Sequence, residues 1–406
     1  MRKIFAVCIF ALYTIGSLSA QITVSGILDS TVSMNAGAGD APEFSIGFEE
    51  YANLRFQSRL RDRGAVYGAV NLLAAAGDYA SNAALLALYG TGSPLNTTAY
   101  IEGENYIAAI ELERLYFRLR GEYTDFDGGL MRLPFGYGQV WAPSDFLNPR
   151  NPLKPDARLR GILGAAFSWY PTDEMKLLTF YSSPRDPFNN EGSGSIVGLS
   201  FDKHWNKASI QTLYSYETPN GSKIIESPFG IHRFGLSLKA DVEIGLYLDT
   251  LYSYNYEAGT EWDGLSFSAG TDYSFFDGNF IVLAEYLYNG DTSSTALGYG
   301  GNFSNNHYLY TSFTIRFSDF TSMSAALISG FEDVSFSALI SLNHDLFQGV
   351  TLTVSAQVPL DRDLFNNDGN RGELGPLPPD ELQPLKDIIG LRGSYFNCTA
   401  RIRIRF

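Results

Sequence analysis

Apolar and polar side chains alternate with a period of two along most of this chain, from Gln21 to Phe406. Phe44, Ile46, Phe48, Ala52, Leu54 and Phe56 share one face of an extended segment, Glu50 being the exception. Ser45, Glu49, Tyr51, Asn53, Arg55 and Gln57 share the other. Ile244, Leu246, Leu248, Tyr252, Tyr254 and Tyr256 oppose Glu243, Tyr247, Asp249, Ser253 and Asn255. Val334, Phe336, Ala338, Ile340 and Leu342 oppose Ser335, Ser337, Ser341 and Asn343, with Leu339 out of phase. Val350, Leu352, Val354, Ala356 and Val358 oppose Thr351, Thr353, Ser355 and Gln357. A strand turns successive side chains to opposite faces, so each segment predicts a sheet surface that is apolar on one side and polar on the other. A single segment of this kind would be a half-buried strand in any fold. Its repetition along the whole chain predicts an all-β protein.

The spacing between segments carries a second regularity. Short turns fall at Leu60–Asp62, Gly121-Glu122, Pro171–Glu174, Phe201–Asn206, Ala240-Asp241, Phe276–Gly278, Ser318–Phe320 and Asp345–Gly349. Between them lie mostly longer connections: Asn35–Pro42, Gly77–Gly103, Pro134–Arg160, Pro184–Gly192, Thr218–Pro228, Glu257–Asp263, Gly290–Asn305 and Leu360–Ile389, with Gly330–Asp333 as one short member. Regular short/long alternation is the plan of an antiparallel up-and-down barrel, with tight periplasmic turns and longer external loops. It yields about 18 strands of roughly 9 to 15 residues, long enough to cross a bilayer at a tilt. Both ends on the periplasmic side demand an even number, and sixteen is the alternative. A short helical turn is expected over Asn82–Tyr89, within the second long connection.

The ends of the chain fit this plan. Arg2 and Lys3, the apolar Ile4–Ile15 and the small residues Gly16-Ser17-Leu18-Ser19-Ala20 read as a signal peptide covering residues 1–20, leaving one domain, 21–406. Its removal shifts the formal net charge from −15 to −17 and leaves Cys398 as the only cysteine, so no intrachain disulfide is possible. An acidic balance of this size speaks against nucleic acid as a partner. After residue 20 no apolar run approaches the length of a membrane-spanning helix, and a membrane location therefore requires a closed sheet. The 25 Tyr and 29 Phe suit the aromatic girdles of such a barrel. At the other end, Arg401, Arg403 and Arg405 alternate with Ile402, Ile404 and Phe406. This ending resembles the closing strand of bacterial outer-membrane barrels. The resemblance implies that the barrel-assembly machinery reads it and that outer-membrane lipid surrounds the finished protein.

The third long connection is the most informative. Four prolines between Pro143 and Pro155 fix much of its backbone, and Trp141, Phe146 and Leu147 supply apolar anchors. A solvated external loop needs neither, so residues 134–160 are expected to fold back into the lumen. Parity places Arg55 and Arg59 inward on the second strand and Arg114, Arg118 and Arg120 inward on the fourth. Arg401, Arg403 and Arg405 point inward on the last, with Arg132 beside them on the fifth. Arginine stays charged and offers a planar fork to carboxylate, phosphate or sulfate. Rings of Arg or Lys bias pores toward anions. Glu49 and Glu104, inward by the same parity, could instead turn these arginines into internal struts.

The run from Arg114, Arg118 and Arg120 through Gly128-Gly129-Leu130-Met131-Arg132 to Trp141, Pro143-Ser144-Asp145, Asn148-Pro149-Arg150-Asn151-Pro152 and Asp156-Ala157-Arg158 resembles porin-type barrels, most nearly the alginate-export-like group. The likeness covers about 50 residues. It implies a third loop that forms the constriction, so Asp145, Arg150, Lys154, Asp156 and Arg158 join the arginine wall as candidate pore-lining residues. It also implies a passive channel for small hydrophilic, including anionic, solutes. A homo-oligomer is compatible with that reading.

Enzyme, metal and cofactor readings find little support. His204, His232, His307 and His344 lie in no nucleophile motif; His307 with Ser304 or Asp291 is the nearest approach to one. The acidic run from Asp361 to Glu381 lacks the spacing of an EF-hand loop. No catalytic residue, metal or cofactor is therefore expected. Two rivals remain: a barrel for hydrophobic substrates, which the Ser/Thr/Asn/Arg inward faces oppose, and a plugged adhesive or structural barrel.

Overall fold

A computed structural model describes residues 22–37, 44–60, 63–77, 98–103, 105–148, 161–184, 194–219, 230–255, 264–290, 306–332, 336–360 and 394–406. The expected signal peptide, the helical turn at Asn82–Tyr89 and the acidic run after Leu360 lie outside them. The first five strands are β1 (Ile22–Gly37), β2 (Phe44–Leu60), β3 (Gly64–Gly77), β4 (Thr98–Gly103) and β5 (Tyr106–Arg120). β6 (Thr124–Met131), β7 (Ile162–Thr172), β8 (Met175–Ser182), β9 (Ile196–His204) and β10 (Ala208–Glu217) follow. Next come β11 (Ile231–Val242), β12 (Ile244–Asn255), β13 (Leu265–Phe275), β14 (Phe280–Asn289) and β15 (His307–Ser318). β16 (Thr321–Gly330), β17 (Phe336–Phe347), β18 (Val350–Leu360) and β19 (Ser394–Arg405) complete the chain.

Every wall strand pairs antiparallel with its neighbours, and β19 returns to β1, from Ile27↔Arg405 to Gly37↔Ser394. Gly26 N–H donates to the Phe406 carbonyl (2.8 Å) and Phe406 N–H to the Gly26 carbonyl (3.1 Å), so the terminal phenylalanine is part of the seam. Closure removes both sheet edges, which is what lets a sheet stand in hydrocarbon. The short turns lie at or within a few residues of the expected positions: those expected at Phe201–Asn206 and Ala240-Asp241 come later, at Trp205–Lys207 and Glu243, and residues 61 and 62 lie outside the described residues.

Eighteen strands form the wall, as the alternation predicts, and β4 is an addition that pattern reading assigns to loop. β6 pairs with β5 only from Leu115↔Leu130 to Arg120↔Asp125, because the chain leaves the wall after Met131. β4 takes the edge of β5 thus left open, from Thr98↔Glu111 to Gly103↔Tyr106. Unpaired backbone groups on β5 explain why a loop segment is recruited there.

Burial is reversed relative to a water-soluble protein. Large apolar side chains stand on the exterior, with Val24 63%, Phe48 51% and Ile340 53% exposed, while Ser33, Ser200 and Ser268 are buried inside. An exposed apolar surface round most of a closed sheet is a lipid-facing belt.

Candidate functional site

Of the third connection, residues up to Asn148 are described, and 149–160 lie outside the described residues. From Arg132 to Asn148 the chain leaves the wall and runs over the inner faces of β7–β16, most of its residues buried. Leu133, Phe135, Phe146 and Leu147 pack into one cluster with Leu178, Phe180, Leu213 and Leu251. Trp141, fully buried, packs in a second with Leu287, Tyr308 and Ile328. The apolar residues that pattern reading marks as anchors thus dock on apolar patches of an otherwise polar lumen.

Backbone capture completes the docking. A segment off the sheet has no ladder partners for its N–H groups, and buried N–H groups need acceptors. Glu285 accepts three in a row, from Gln139 (3.1 Å), Val140 (2.9 Å) and Trp141 (3.0 Å). Asp249 accepts the Ser144 N–H (3.3 Å), and Gln211, itself donating to Asp202, accepts the Gly136 N–H (2.6 Å). The Trp141 carbonyl receives the Ser268 hydroxyl (2.9 Å). Gly136 has a φ of +81°, and a Cβ there would sit 1.8 Å from an Asp249 oxygen; only glycine fits so near the wall. Carboxylate acceptors make hydrogen bonds roughly twice as strong as neutral ones. Burial, and after it the Asp202 charge, pushes the Tyr137 phenol up to about 12, so this loop side chain carries no charge near neutrality.

Asp145 calls for a correction. Expected on the pore surface, it is fully buried inside the loop, its carboxylate accepting the Phe135 N–H (3.3 Å) and its own N–H donating to the Ala142 carbonyl (2.8 Å). It shapes the loop and does not line the bore. Arg150, Lys154, Asp156 and Arg158 lie outside the described residues.

The arginine wall stands on β2, β5 and β19, with Arg132 just after β6, and faces the stretch of the docked loop on β7–β16. Much of it is paired. Arg118 forms a two-pronged bridge to Asp127 (2.6 and 2.8 Å), its guanidinium 5.9 Å from the stacked rings of both Tyr67 and Tyr116. Arg403 bridges Asp29 in the same way (2.7 Å twice). Glu113 binds Arg114 (3.0 Å) and Arg132 (2.7 Å), and receives the Asn53 amide (2.6 Å). Burial lowers the pKa of Arg132, against the opposing charge of Glu113.

One of the pairing acids, Glu113, is not where parity puts it. Glu113 should face outward, in step with Leu115 and Phe117, but the register jumps from Ala69↔Arg114 to Val70↔Leu112. This bulge leaves Glu113 unpaired in the ladder and turns both Glu113 and Arg114 inward. Of the two expected acids, Glu49 has a partner of its own and Glu104 lies outside the described residues. Arg55, Arg120 and Arg405 remain exposed, without a carboxylate partner among the described residues. The Arg55 Nε donates to Asn53 (2.5 Å), and Arg405 to the Thr351 hydroxyl (3.3 Å). Arg401 makes contacts of its own.

Comparison with known proteins yields similarity in structure alone. No family model matches the chain, and no curated protein does. Among solved structures, the fold resembles a BenF-like porin from Pseudomonas fluorescens Pf-5 (10% identity, 95% of this chain and 98% of that one, TM-score 0.57). It also resembles OccK8 (OprE) of Pseudomonas aeruginosa (12% identity, 95% and 98%, TM-score 0.54) and OccAB3 of Acinetobacter baumannii (11%, 95% and 99%, 0.54). The chain spans nearly the full length of each.

Proposed function

We propose that this protein is a bacterial outer-membrane porin, a water-filled channel through which small hydrophilic solutes diffuse. The observation that carries the reading is the inward-docked segment 132–148 inside a closed barrel with a lipid-facing exterior. A structural barrel has no use for a loop whose backbone is clasped at six points by lumen side chains, whereas a channel needs a rigid constriction. Likeness over the whole length to barrels that include a BenF-like porin supports the same conclusion. The narrower likeness to alginate-export-like barrels extends only to this shared porin plan. No covalent chemistry or energy input is involved.

Solutes pass between the docked loop, which exposes Pro134 and Gln139, and the wall carrying Arg55 and Arg120. Guanidinium groups facing water without an internal acid attract carboxylate- or phosphate-bearing solutes. The bias is weaker than the raw arginine count implies, because Arg114, Arg118, Arg132 and Arg403 serve as struts. The long connections lie outside the cell and both termini at the periplasmic side. Purified protein in a planar bilayer is expected to give discrete conductance steps, with a reversal potential of anionic sign in a salt gradient. A folded barrel that inserts and gives no steps refutes the channel.

A further inference from the structure

One lipid-facing position breaks the belt. On β2 the outward side chains run Phe44, Ile46, Phe48, Glu50, Ala52, Leu54, Phe56, so a carboxyl group stands with three apolar neighbours above it and three below. Glu50 is exposed, and it faces Ser30, midway along the 16-residue β1, whose hydroxyl donates to it at 2.7 Å. Among the described residues, the other outward charge, Lys203, sits one residue from the end of β9 with its ammonium 5.2 Å over the Trp205 ring, where an interface with water is expected. Glu50 has no such escape. One serine leaves most of its hydrogen-bonding capacity unmet, and acyl chains supply none.

We propose that the outward face of β19, β1, β2 and β3 is where a second copy of this chain docks, with Glu50 of one copy against Glu50 of the other. Three features select a second copy over a different protein. All copies enter the membrane in the same direction, so a twofold axis along the membrane normal brings the two Glu50 side chains to one depth without further adjustment. A carboxylic acid donates one hydrogen bond and accepts another, so it satisfies its own kind across a twofold axis, which few polar side chains do. The surroundings permit approach on one side: Ala74 stands opposite Glu50 on β3 and Ala52 follows it on β2, with Ala400 and Cys398 on the same face, while Phe44, Ile46 and Phe48 rise on the other side. The inference rests on the membrane-barrel reading and assigns that barrel a partner.

Counting bleaching steps of single labelled molecules of the full chain in dilute proteoliposomes tests it. Wild type is expected to bleach mainly in two steps. Glu50→Leu should bleach mainly in one while still running as a folded, heat-modifiable barrel. Glu50→Gln should keep two, since a carboxamide is also self-complementary. A wild type bleaching in one or three steps, or a Glu50→Leu protein that keeps two, overturns the pairing. In a Cys398→Ser background, mild oxidation should link Ala52→Cys copies to each other and leave Leu248→Cys copies on the far side unlinked. Equal linking at both sites, none at Ala52→Cys, or a link to another protein overturns it as well. Conductance of the same wild-type preparation reports separately on the barrel: a conducting protein that bleaches in one step defeats the pairing alone.

Discussion

The two sides of the lumen use buried charge in opposite ways. Across β9–β14, the carboxylates of Asp249 and Glu285 hold the backbone of the docked loop directly, and that of Asp202 holds Gln211, which does the same. Across β19, β1, β5 and β6, the carboxylates of Asp29, Glu113 and Asp127 are spent on arginine side chains. In the proposed channel the first arrangement sets the width of the passage, and the second sets how much positive charge the passage shows. Inward charge is therefore a poor guide to selectivity until each group's partner is known.

The sharpest way to break the comparison is on the loop side. Glu285→Ala removes the acceptor of three consecutive buried N–H groups, each costing about 1–3 kcal/mol when left unsatisfied. The expected outcome is an undocked loop: a larger single-channel conductance, and cleavage by trypsin at Arg132 that wild type resists. Conductance and cleavage both unchanged would mean that the apolar anchors hold the loop unaided. Trp141→Ala tests those anchors. Emptying a fully buried tryptophan site typically costs about 3–5 kcal/mol, so the loop should become protease-sensitive while the wall, whose ladder Trp141 does not join, keeps its heat-modifiable mobility on gels.

How far the sequence foretells this division depends on the kind of order involved. Wall strands are legible because a period of two is written into every segment, and each short turn interrupts it. The docking of residues 132–148 is legible from Trp141, Phe146 and Leu147, whose chemistry makes no sense in solvent. Its partners are not: Glu285 and Asp249 look like ordinary inward acids of β14 and β12, and nothing local ties them to residues more than a hundred positions away. On the arginine side, one bulge at Glu113 defeats parity counting, since a single inserted residue exchanges the two faces for everything before it. β4 escapes notice because it answers a vacancy on β5 created by the distant departure of β6.

On the arginine side the next effect is a change of selectivity. Glu113→Gln leaves Arg114 and Arg132 without their acid, and losing hydrogen bonds to a charged group costs about 1.5–3 kcal/mol each. The barrel has stability to spare in its ladder, so the variant should fold, conduct and show a reversal potential shifted further toward anions. Glu285→Gln, by contrast, should leave selectivity nearly where it was, because that carboxylate faces loop amides and not the passage. A larger shift from Glu285→Gln than from Glu113→Gln would invert the assignment of the two sides.

The smallest effect on stability should come from the unpaired arginines. Substitutions at exposed positions away from packing and pairing usually change stability by no more than about 0.5 kcal/mol. Arg55→Ala and Arg120→Ala together should therefore melt like wild type and yet lose most of the anion preference. Arg118→Ala and Arg403→Ala, which take their positive charge away but free Asp127 and Asp29, should lose stability as well as selectivity. The comparison to make is melting point against reversal potential for the two double variants. If both pairs move both quantities alike, the distinction between struts and solute-facing arginines has no functional content.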